Sequence, residues 1–365
     1  MIFLAWSPIR SMNVERYSHA AIVLYNGKVL VSGGAFDIHY ALNIYELYDP
    51  STETWTQAGY TFVPRSLHTL SVLPNYQVLA TGGSRGDGVG VLWSEVYDSI
   101  QDFWTLTDNM HDSRVRHTAS VLSNGKVLVT GGQVEPLDYL NTCELYDSST
   151  QKWSRTTNMH ATRAYHTATV LKNGKVLVTG GLSEPNTTEI YDPLTGNWTK
   201  TASMNVGRSA HTATLLMNGE VLVTGGMNNS AAMIASAELY NPSTDTWTIV
   251  GSMQSKRIYH TASLLPNGKV LITGGTFDLV VCLTNTELYD PITRNWSNAD
   301  DMPVGLRAHA ASVLENGDIL ISGGITSNEI ASNISMLYNS SRKTFKSMND
   351  GGKHQPSRES IYVNK

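Results

Sequence analysis

Histidine is the residue in this chain whose spacing first suggests chemistry, because imidazole binds metals and carries protons near neutral pH. Seven histidines recur 49 residues apart, with one interval of 45 between His166 and His211. A metal ion needs two to four ligands that converge within about 2.1 Å. Side chains repeated at this interval would diverge around a ring, so we predict structural histidines and no metal site. They are His19, His68, His117, His166, His211, His260 and His309.

Two Tyr-His pairs and two cysteines are the remaining candidates for redox or nucleophilic chemistry. Tyr165-His166 and Tyr259-His260 both use histidines of the repeated series, so the repeat already accounts for them. Cys143 and Cys282 lie in the third and sixth repeats, too far apart for the roughly 7 Å Cα separation of a disulfide. The sequence contains no Ser-His-Asp order, P-loop or HExxH motif. We therefore predict no catalytic residue, no cofactor and a protein that is not an enzyme.

The histidines belong to a longer repeat, which fixes the architecture. Three further slots keep the same phase: a double glycine such as Gly131-Gly132, a tyrosine such as Tyr146, and a tryptophan such as Trp153. Each copy reads as four short strands. In the third copy these are 117–122, 126–130, 141–146 and 152–156, with Asn124-Gly125 predicting a two-residue hairpin turn between the first two. Asn75-Tyr76 replaces that dipeptide in the second copy and predicts a different turn.

Seven four-stranded units arranged radially describe an all-β protein, a seven-bladed β-propeller of antiparallel blades. The sequence from Tyr191 to Gly226, YDP-T--W-----M----HTA--L-NGKVLVTGG, resembles the kelch repeat, and in particular the kelch propeller of the galactose oxidase superfamily. The resemblance covers residues 6 to about 345. We predict a propeller over residues 1–340 and a polar, basic C-terminal tail over residues 341–365.

The ring should be closed by the N-terminal strand. Both Trp6 and Phe345 could fill the outer strand of the last blade, but Trp6 is followed six residues later by Met12, as Trp104 is by Met110. Phe345 is followed by a methionine after only three residues. An open sheet edge would be a liability, so both chain ends should meet in one blade.

A second regular pair of residues predicts ion pairs inside the blades. An arginine lies three residues before six of the seven histidines, and a glutamate lies two residues before six of the seven repeated tyrosines. The seventh repeat loses both together, having Leu306 and Met336. Joint loss is what a direct contact predicts. The pairs would be formed by Arg16, Arg65, Arg114, Arg163, Arg208 and Arg257 with Glu46, Glu95, Glu144, Glu189, Glu238 and Glu287.

Charge and composition limit the partners. The chain has 365 residues and a net charge of −5; residues 341–365 hold six Lys/Arg and two Asp/Glu, so the other 340 residues carry 20 − 29 = −9. No basic surface for nucleic acid and no apolar run long enough for a membrane helix are present. Cysteine use weakly favours a reducing compartment such as the cytoplasm, although the compartment stays unknown. We expect a monomer.

The loops between the second and third strands differ in every blade, whereas the other turns repeat. These loops should lie on one face together with the connections between blades. Exposed aromatic and acidic side chains there suit a protein or peptide partner, and the negative body favours a partner with basic character. The predicted partner-binding residues are Phe36, Asp37, His39, Tyr40, Arg85, Asp87, Glu135, Asp138, Tyr139, Met227, Asn228, Phe277 and Asp278.

The resemblance implies a choice between two functions. Kelch propellers often act as binding scaffolds, including substrate receptors of ubiquitin ligases, although the BTB and F-box domains of those adaptors are absent from this sequence. Relatives in the superfamily are copper radical oxidases, which use a Tyr-His pair, a cysteine-tyrosine cross-link and a further domain, or sialic-acid mutarotases. We predict a non-enzymatic scaffold; the alternative is a carbohydrate-active or copper-oxidase-like enzyme.

Overall fold

The computed structural model describes residues 5–86, 89–135 and 137–341, and these form seven four-stranded antiparallel sheets. Short runs of alternating or fully apolar residues form the strands, and a double glycine follows the second strand of each blade. The described residues contain no helix, and hence none that could span a membrane. The strands of blades 1 to 3 are β2 (Ala20–Val23), β3 (Val29–Ser32), β4 (Ile44–Asp49), β5 (Thr54–Tyr60), β6 (Thr69–Val72), β7 (Val78–Thr81), β8 (Ser94–Asp98), β9 (Phe103–Leu106), β10 (Thr118–Val121), β11 (Val127–Thr130), β12 (Cys143–Asp147) and β13 (Lys152–Arg155).

Blades 4 to 7 follow the same order, and the last blade takes its fourth strand from the N-terminus. Their strands are β14 (Thr167–Val170), β15 (Val176–Thr179), β16 (Thr188–Asp192), β17 (Asn197–Lys200), β18 (Thr212–Leu215), β19 (Val221–Thr224), β20 (Ala237–Asn241), β21 (Thr246–Val250), β22 (Thr261–Leu264), β23 (Val270–Thr273), β24 (Glu287–Asp290), β25 (Asn295–Asn298), β26 (Ala310–Val313), β27 (Ile319–Ser322), β28 (Ser335–Tyr338) and β1 (Trp6–Pro8).

The first strand of each blade lines the centre of a closed ring. First strands of consecutive blades contact each other from β2 through β26, and β26 contacts β2. The second strands, with Val-Leu-Val or similar sequences, are fully buried because neighbouring blades cover both of their faces. The predicted all-β, seven-bladed fold is confirmed.

The repeated tyrosine and tryptophan pack the outer strands. In blade 4 the rings of Tyr191 and Trp198 lie 5.2 Å apart, and the indole Nε1 of Trp198 donates to the carbonyl of Thr157 in blade 3 at 3.0 Å. Trp247 reaches Ala202 of the preceding blade in the same way. The tryptophan therefore links blades as well as filling their outer layer.

The ring closes as predicted through β1, which pairs with β28. Trp6 lies opposite Tyr338 with ring centroids 5.1 Å apart, and its indole Nε1 donates to the Asp300 carbonyl of blade 6 at 2.7 Å. Trp198, Trp247 and Trp296 make the same contact with the preceding blade. Phe345, the rejected alternative, and residues 342–365 of the predicted tail lie outside the described residues.

Removal of residues 1–11 is expected to lower the melting temperature far more than removal of residues 346–365. The first deletion takes away a buried tryptophan and exposes the edge of β28, whereas the repeat pattern ends before the second segment. Loss of a buried tryptophan side chain alone costs about 3–5 kcal/mol. Thermal unfolding of the two truncated proteins checks this, and equal losses would contradict N-terminal closure.

The turn between first and second strands differs from the predicted two-residue turn. In blade 1 the Gly27 N–H donates to the Leu24 carbonyl, and the Leu24 N–H donates to the Lys28 carbonyl. This is a three-residue loop with one left-handed residue, Gly27 at φ +77°. Tyr76 takes the same conformation at φ +65° with equivalent hydrogen bonds, so the different turn predicted there was wrong.

Candidate functional site

Six buried ion pairs hold the connections between blades on the face where the second-to-third-strand loops emerge. All six predicted Arg–Glu pairs are confirmed, with nitrogen–oxygen distances of 2.6 to 2.9 Å and side chains that are essentially inaccessible. In blade 5, Arg208 also donates to the carbonyls of Gly225 and Ser236, both at 2.9 Å. Each arginine thus joins the incoming connection to two strand ends.

Each of these glutamates also accepts hydrogen bonds from backbone N–H groups, in addition to the one from its arginine. Glu238 receives the backbone N–H groups of Asn205 at 2.8 Å and Val206 at 2.9 Å, in the connection that leads into its blade. Around the equivalent Glu144, burial opposes ionisation, but the amide and ring of His111 together with Arg114 outweigh it and lower the pKa of that carboxyl. Glu144 is therefore held ionised beside Arg114, and the backbone hydrogen bonds to the glutamates anchor the connections between blades.

In blade 7 three residues replace this arrangement. Leu306 and Met336 were expected from the sequence, and Pro303 was not. Leu306 and Met336 are buried in an apolar cluster with Met302, in place of the ion pair. Pro303 occupies the position whose N–H would donate to the missing glutamate, as Asn205 does in blade 5. Proline has no N–H to leave unsatisfied. The signal was present in the sequence as a proline after the repeated methionine.

Six of the seven repeated histidines form a hydrogen bond to the preceding blade, whereas both ring nitrogens of the buried His68 have no hydrogen-bond partner among the described residues. The Nε2 of His166 forms 3.1 Å hydrogen bonds with Thr118 and Thr130 of the preceding blade, and His211, His260 and His309 do likewise. Burial is the largest cause of a lowered pKa at all seven, and it takes His117 to about 3 and His309 to about 4. They are neutral at physiological pH.

These residues do not fit a copper centre of the oxidase type. The imidazoles of His166 and His260 are buried between blades and bonded to threonine hydroxyls, away from the tyrosines that precede them. Cys143 and Cys282 are free and buried. Across residues 5–86, 89–135 and 137–341, no three His, Cys, Asp or Glu side chains are placed to share a metal ion.

The residue before each histidine forms a ring around the mouth of the central channel. All seven are non-glycine residues in the left-handed region, with φ between +50° and +57°. Backbone hydrogen bonds link neighbours: the Ser18 N–H donates to Ala308, and the Leu67 N–H donates to Ser18. We call these residues the mouth ring: Ser18, Leu67, Arg116, Tyr165, Ala210, Tyr259 and Ala308.

Large and small members of the mouth ring give the channel a one-sided cavity of about 490 Å³. Tyr165 and Tyr259 come within 6.3 Å of each other across the small Ala210, and the Arg116 guanidinium lies 4.4 Å from the Tyr165 ring centroid. Ser18 and Ala308 leave the opposite side open. The cavity has the size of a small-molecule or peptide site.

Two arginines face this cavity, from blades 3 and 7. Neither Arg116 nor Arg307 pairs with a carboxylate among the described residues, and Nε of Arg116 and Nη1 of Arg307 are buried without a hydrogen-bond partner there. Asp37 also lines the cavity, but its Oδ1 accepts the backbone N–H groups of His39 and Tyr40 in its own loop. The mouth is thus a cationic spot on a negatively charged protein.

The predicted partner-binding residues surround this cavity on the loop face. Phe36, Tyr40 and Phe277 are 51%, 68% and 40% exposed, and His39, Arg85, Glu135 and Asp138 are also exposed. Tyr139, Met227 and Asn228 are half-buried. Asp37 is the member that reaches the cavity itself, and Asp87 lies outside the described residues.

Several of the polar residues among them shape their own loops. Asn228 Oδ1 accepts the backbone N–H groups of Ser230 and Ala232, and Asp278 Oδ1 accepts those of Val280 and Val281. Arg85 lies over Trp93, with its Cζ 4.3 Å from the ring centroid. These contacts fix the conformation of the loops in which they occur.

Exposed apolar side chains of the loops are concentrated on one side of the face. Blades 6, 7, 1 and 2 are consecutive in the ring and contribute nearly all of them, while blades 4 and 5 contribute none of the large exposed ones described. We call this set the apolar arc: Phe277, Leu279, Val280, Val281, Ile330, Phe36, Ile38, Tyr40, Val89, Leu92 and Trp93. Ile38 and Leu279 belong both to the arc and to the cavity wall.

Comparison with known proteins agrees with the repeat and the ring. The sequence matches the family model for the KLHDC2/KLHL20/DRC7 kelch-repeats domain over residues 96–275. The chain is a kelch-repeat β-propeller.

The kelch propeller is similar in fold to the solved structure of a fungal alcohol oxidase of the AA5 family in complex with copper. The TM-score is 0.75, the sequence identity is 18%, and the similarity covers 91% of this chain and 76% of the oxidase. Identity at that level reports the shared fold alone. No curated protein sequence matches this kelch propeller.

Sequence reasoning missed Arg116, Arg307 and the mouth ring as part of the site. Two positions that are not fixed from blade to blade lie between the repeated arginine, which is Leu306 in blade 7, and the repeated histidine, and most of the residues at these positions line the cavity. The variation at these two positions, between two residues that recur in the repeat, was the signal in the sequence that could have located the site.

Proposed function

We propose that this kelch propeller is a non-enzymatic binding scaffold that holds a protein or peptide on its loop face. The apolar arc carries the proposal, because exposed aromatic and aliphatic side chains gathered on one side of a rigid ring are typical of a docking surface. The arc borders a cavity into which a segment of the partner could reach. We expect the part of the partner that lies outside the mouth to be basic, because residues 1–340 carry a net negative charge.

The ion pairs and turns support such a role, since they fix the loops that would bind. Arginine and glutamate side chains clamp each connection at the base of the face, and the loop acids and amides cap their own backbones. A rigid surface loses less conformational entropy on binding than a flexible one. The oxidase-like alternative is not favoured by any group of residues described above.

Replacement of Phe36, Tyr40, Tyr139 and Phe277 by alanine is expected to weaken partner binding without lowering the melting temperature, because Phe36, Tyr40 and Phe277 are exposed and Tyr139 is only half-buried, in a loop outside the strands. Each hot-spot aromatic typically costs 2 kcal/mol or more, about thirtyfold in affinity. Affinity capture with the native chain, followed by mass spectrometry, identifies candidate partners. Titration of a candidate against each variant measures the effect.

A matched set of exposed apolar residues on the opposite face serves as the control: Tyr25, Leu194 and Ile292. Their alanine variants should retain every partner that the native chain binds. If these control variants lost binding and the loop-face variants retained it, the interface would lie on the opposite face, and the proposal would be overturned.

A further inference from the structure

An open groove between blades 7 and 1 lies on the face opposite the variable loops. It has a volume of about 420 Å³ and is lined by residues 314–316 of blade 7 and by residues 26–28 and 49–51 of blade 1. The exposed Glu315 carboxylate lies against Gly27 and makes no ion pair or hydrogen bond within the described part of the chain. The corresponding positions of the other six blades hold no acid: Tyr25, Pro74, Ser123, Lys172, Met217 and Pro266.

The equivalent groove between blades 4 and 5 has the opposite charge on this wall and serves as a comparison within the molecule. Lys172 occupies the position of Glu315 there, and Glu220 occupies the position of Lys28. In the blade 7–1 groove Lys28 already pairs with Asp49 at 3.2 Å. The carboxylate of Glu315 therefore leaves that groove with a net negative charge, whereas the charges of the blade 4–5 groove balance.

Two stacked tyrosines lie in the first turns of blades 1 and 2, and the first of them belongs to the turn that lines the groove. The ring centroids of Tyr25 and Tyr76 are 4.2 Å apart, and the two side chains are 70% and 48% exposed. Lysine and arginine pack their apolar stems on such surfaces, and their cations are attracted to the faces of aromatic rings. The groove thus combines a free carboxylate with an aromatic surface that suits basic side chains.

The described chain ends beside this groove. The Ser340 N–H donates to Asp318 Oδ1 at 3.0 Å, and the Leu314 N–H donates to the Asp318 carbonyl at 2.9 Å, so Ser340 lies at the turn that carries Glu315. Two extended residues span about 7 Å, which brings the residue after Ser341 within reach of that turn. Three of the next five residues are basic: Arg342, Lys343 and Lys346.

We propose that the groove between blades 7 and 1 binds the basic segment 342–346 of the same chain, with Glu315 as its ion-pairing residue and Tyr25 beside it. Exposed ion pairs are individually weak. A segment tethered two residues from its site has an effective concentration in the millimolar range, so a millimolar affinity is enough to fill the groove. The inference goes beyond the proposed function, because it concerns the other face of the ring.

Charge also decides against the other occupants of the groove. A second copy of the propeller would bring its own negative body, since residues 1–340 carry a net charge of −9, and like charges repel. A basic segment of another protein has the right chemistry, but it would compete with one that is already tethered at the site. The chain's own segment is therefore the occupant to which the structure points.

The test uses the full chain and a fluorescein-labelled, C-amidated peptide of residues 342–349, Arg-Lys-Thr-Phe-Lys-Ser-Met-Asn. The triple variant Arg342→Gln, Lys343→Gln and Lys346→Gln keeps every described residue but loses the basic segment. At low ionic strength the peptide should bind this variant at least about threefold more tightly than it binds the native chain, because the native groove is occupied. Fluorescence polarisation, with protein up to about 1 mM, measures both affinities.

Two results of this titration would overturn the proposal. If the peptide does not bind the triple variant, the groove does not recognise the basic segment. If it binds the native chain and the triple variant equally well, the groove is open to a basic segment of a partner and is not filled by the chain's own.

A charge reversal in each groove locates the binding. Glu315→Lys copies Lys172 and, placed in the triple variant, should weaken the peptide at least about fivefold. Glu220→Lys makes the same change in the blade 4–5 groove and should leave the affinity unchanged, as should Phe36→Ala on the loop face. Melting temperatures establish that each variant is folded. Unchanged peptide affinity after Glu315→Lys, or an equal loss after Glu220→Lys, would overturn the assignment.

Discussion

The protein is expected to unfold in mild acid, between about pH 6 and pH 5. Seven histidines are buried between blades with pKa values held below the ordinary 6.5, chiefly by desolvation. The unfolded chain takes up a proton at each as the pH falls through 6.5, and the folded chain does not. Stability is therefore complete above pH 6.5 and decreases below it, by about 1.4 kcal/mol per pH unit for each histidine.

Together the seven would remove roughly 10 kcal/mol per pH unit, which is comparable with the whole stability of an ordinary domain. Urea unfolding from pH 7.5 to pH 5 measures the slope of the unfolding free energy. His68→Gln is the internal control, because it removes one titrating group, and the slope should fall by one proton. A native slope of one proton or less below pH 6.5 would show that the histidines are not held neutral.

Breaking one buried ion pair is expected to destabilise the ring by about 3–5 kcal/mol, because the remaining charge stays buried alone. Arg208→Met and Glu238→Gln in blade 5 are the test, since both side chains are inaccessible and 2.9 Å apart. Glu238→Gln also weakens acceptance from the amides of Asn205 and Val206. Chemical unfolding of each variant gives the change in free energy.

Blade 7 supplies the compensating design. The double variant Arg208→Leu with Glu238→Met copies Leu306 and Met336, and it should recover much of the loss because no charge remains buried. Addition of Asn205→Pro copies Pro303 and should recover more, since the unsatisfied N–H disappears. An additive loss in the double variant would contradict the coupling. Lys126→Met, which breaks an exposed pair with Asp147, should change stability by less than about 1 kcal/mol.

The fold could be predicted from the sequence because most repeated side chains make the same structural contact in most of the blades. Trp198 links to the preceding blade, His166 bonds to two of its threonines, and Arg163 meets Glu189. Repetition at a fixed interval therefore reports contacts that recur. The closing strand was predictable on the same ground, since Trp6 keeps the spacing of the other tryptophans to the next methionine.

The mouth could not be predicted in this way, because its residues are not fixed from blade to blade. Arg116 and Arg307 occupy different slots of their repeats and line one cavity only in the closed ring. The hairpin turn was misjudged for another reason: Asn-Gly is compatible with two loop lengths, and the backbone hydrogen bonds of Leu24 select the longer one. The residues around Asn75-Tyr76 in the sequence do not indicate that Tyr76 adopts a positive φ.

The mouth ring makes the chemistry of the channel independent of the architecture around it. Serine, leucine, arginine, tyrosine and alanine all adopt the same left-handed backbone there, linked by hydrogen bonds between main-chain atoms. The conformational penalty, about 1–2 kcal/mol for each residue, is set by the backbone and hardly depends on which of these side chains is present. A propeller of this kind can therefore exchange ligands by substitution at seven interchangeable positions, without altering a strand, a turn or an ion pair.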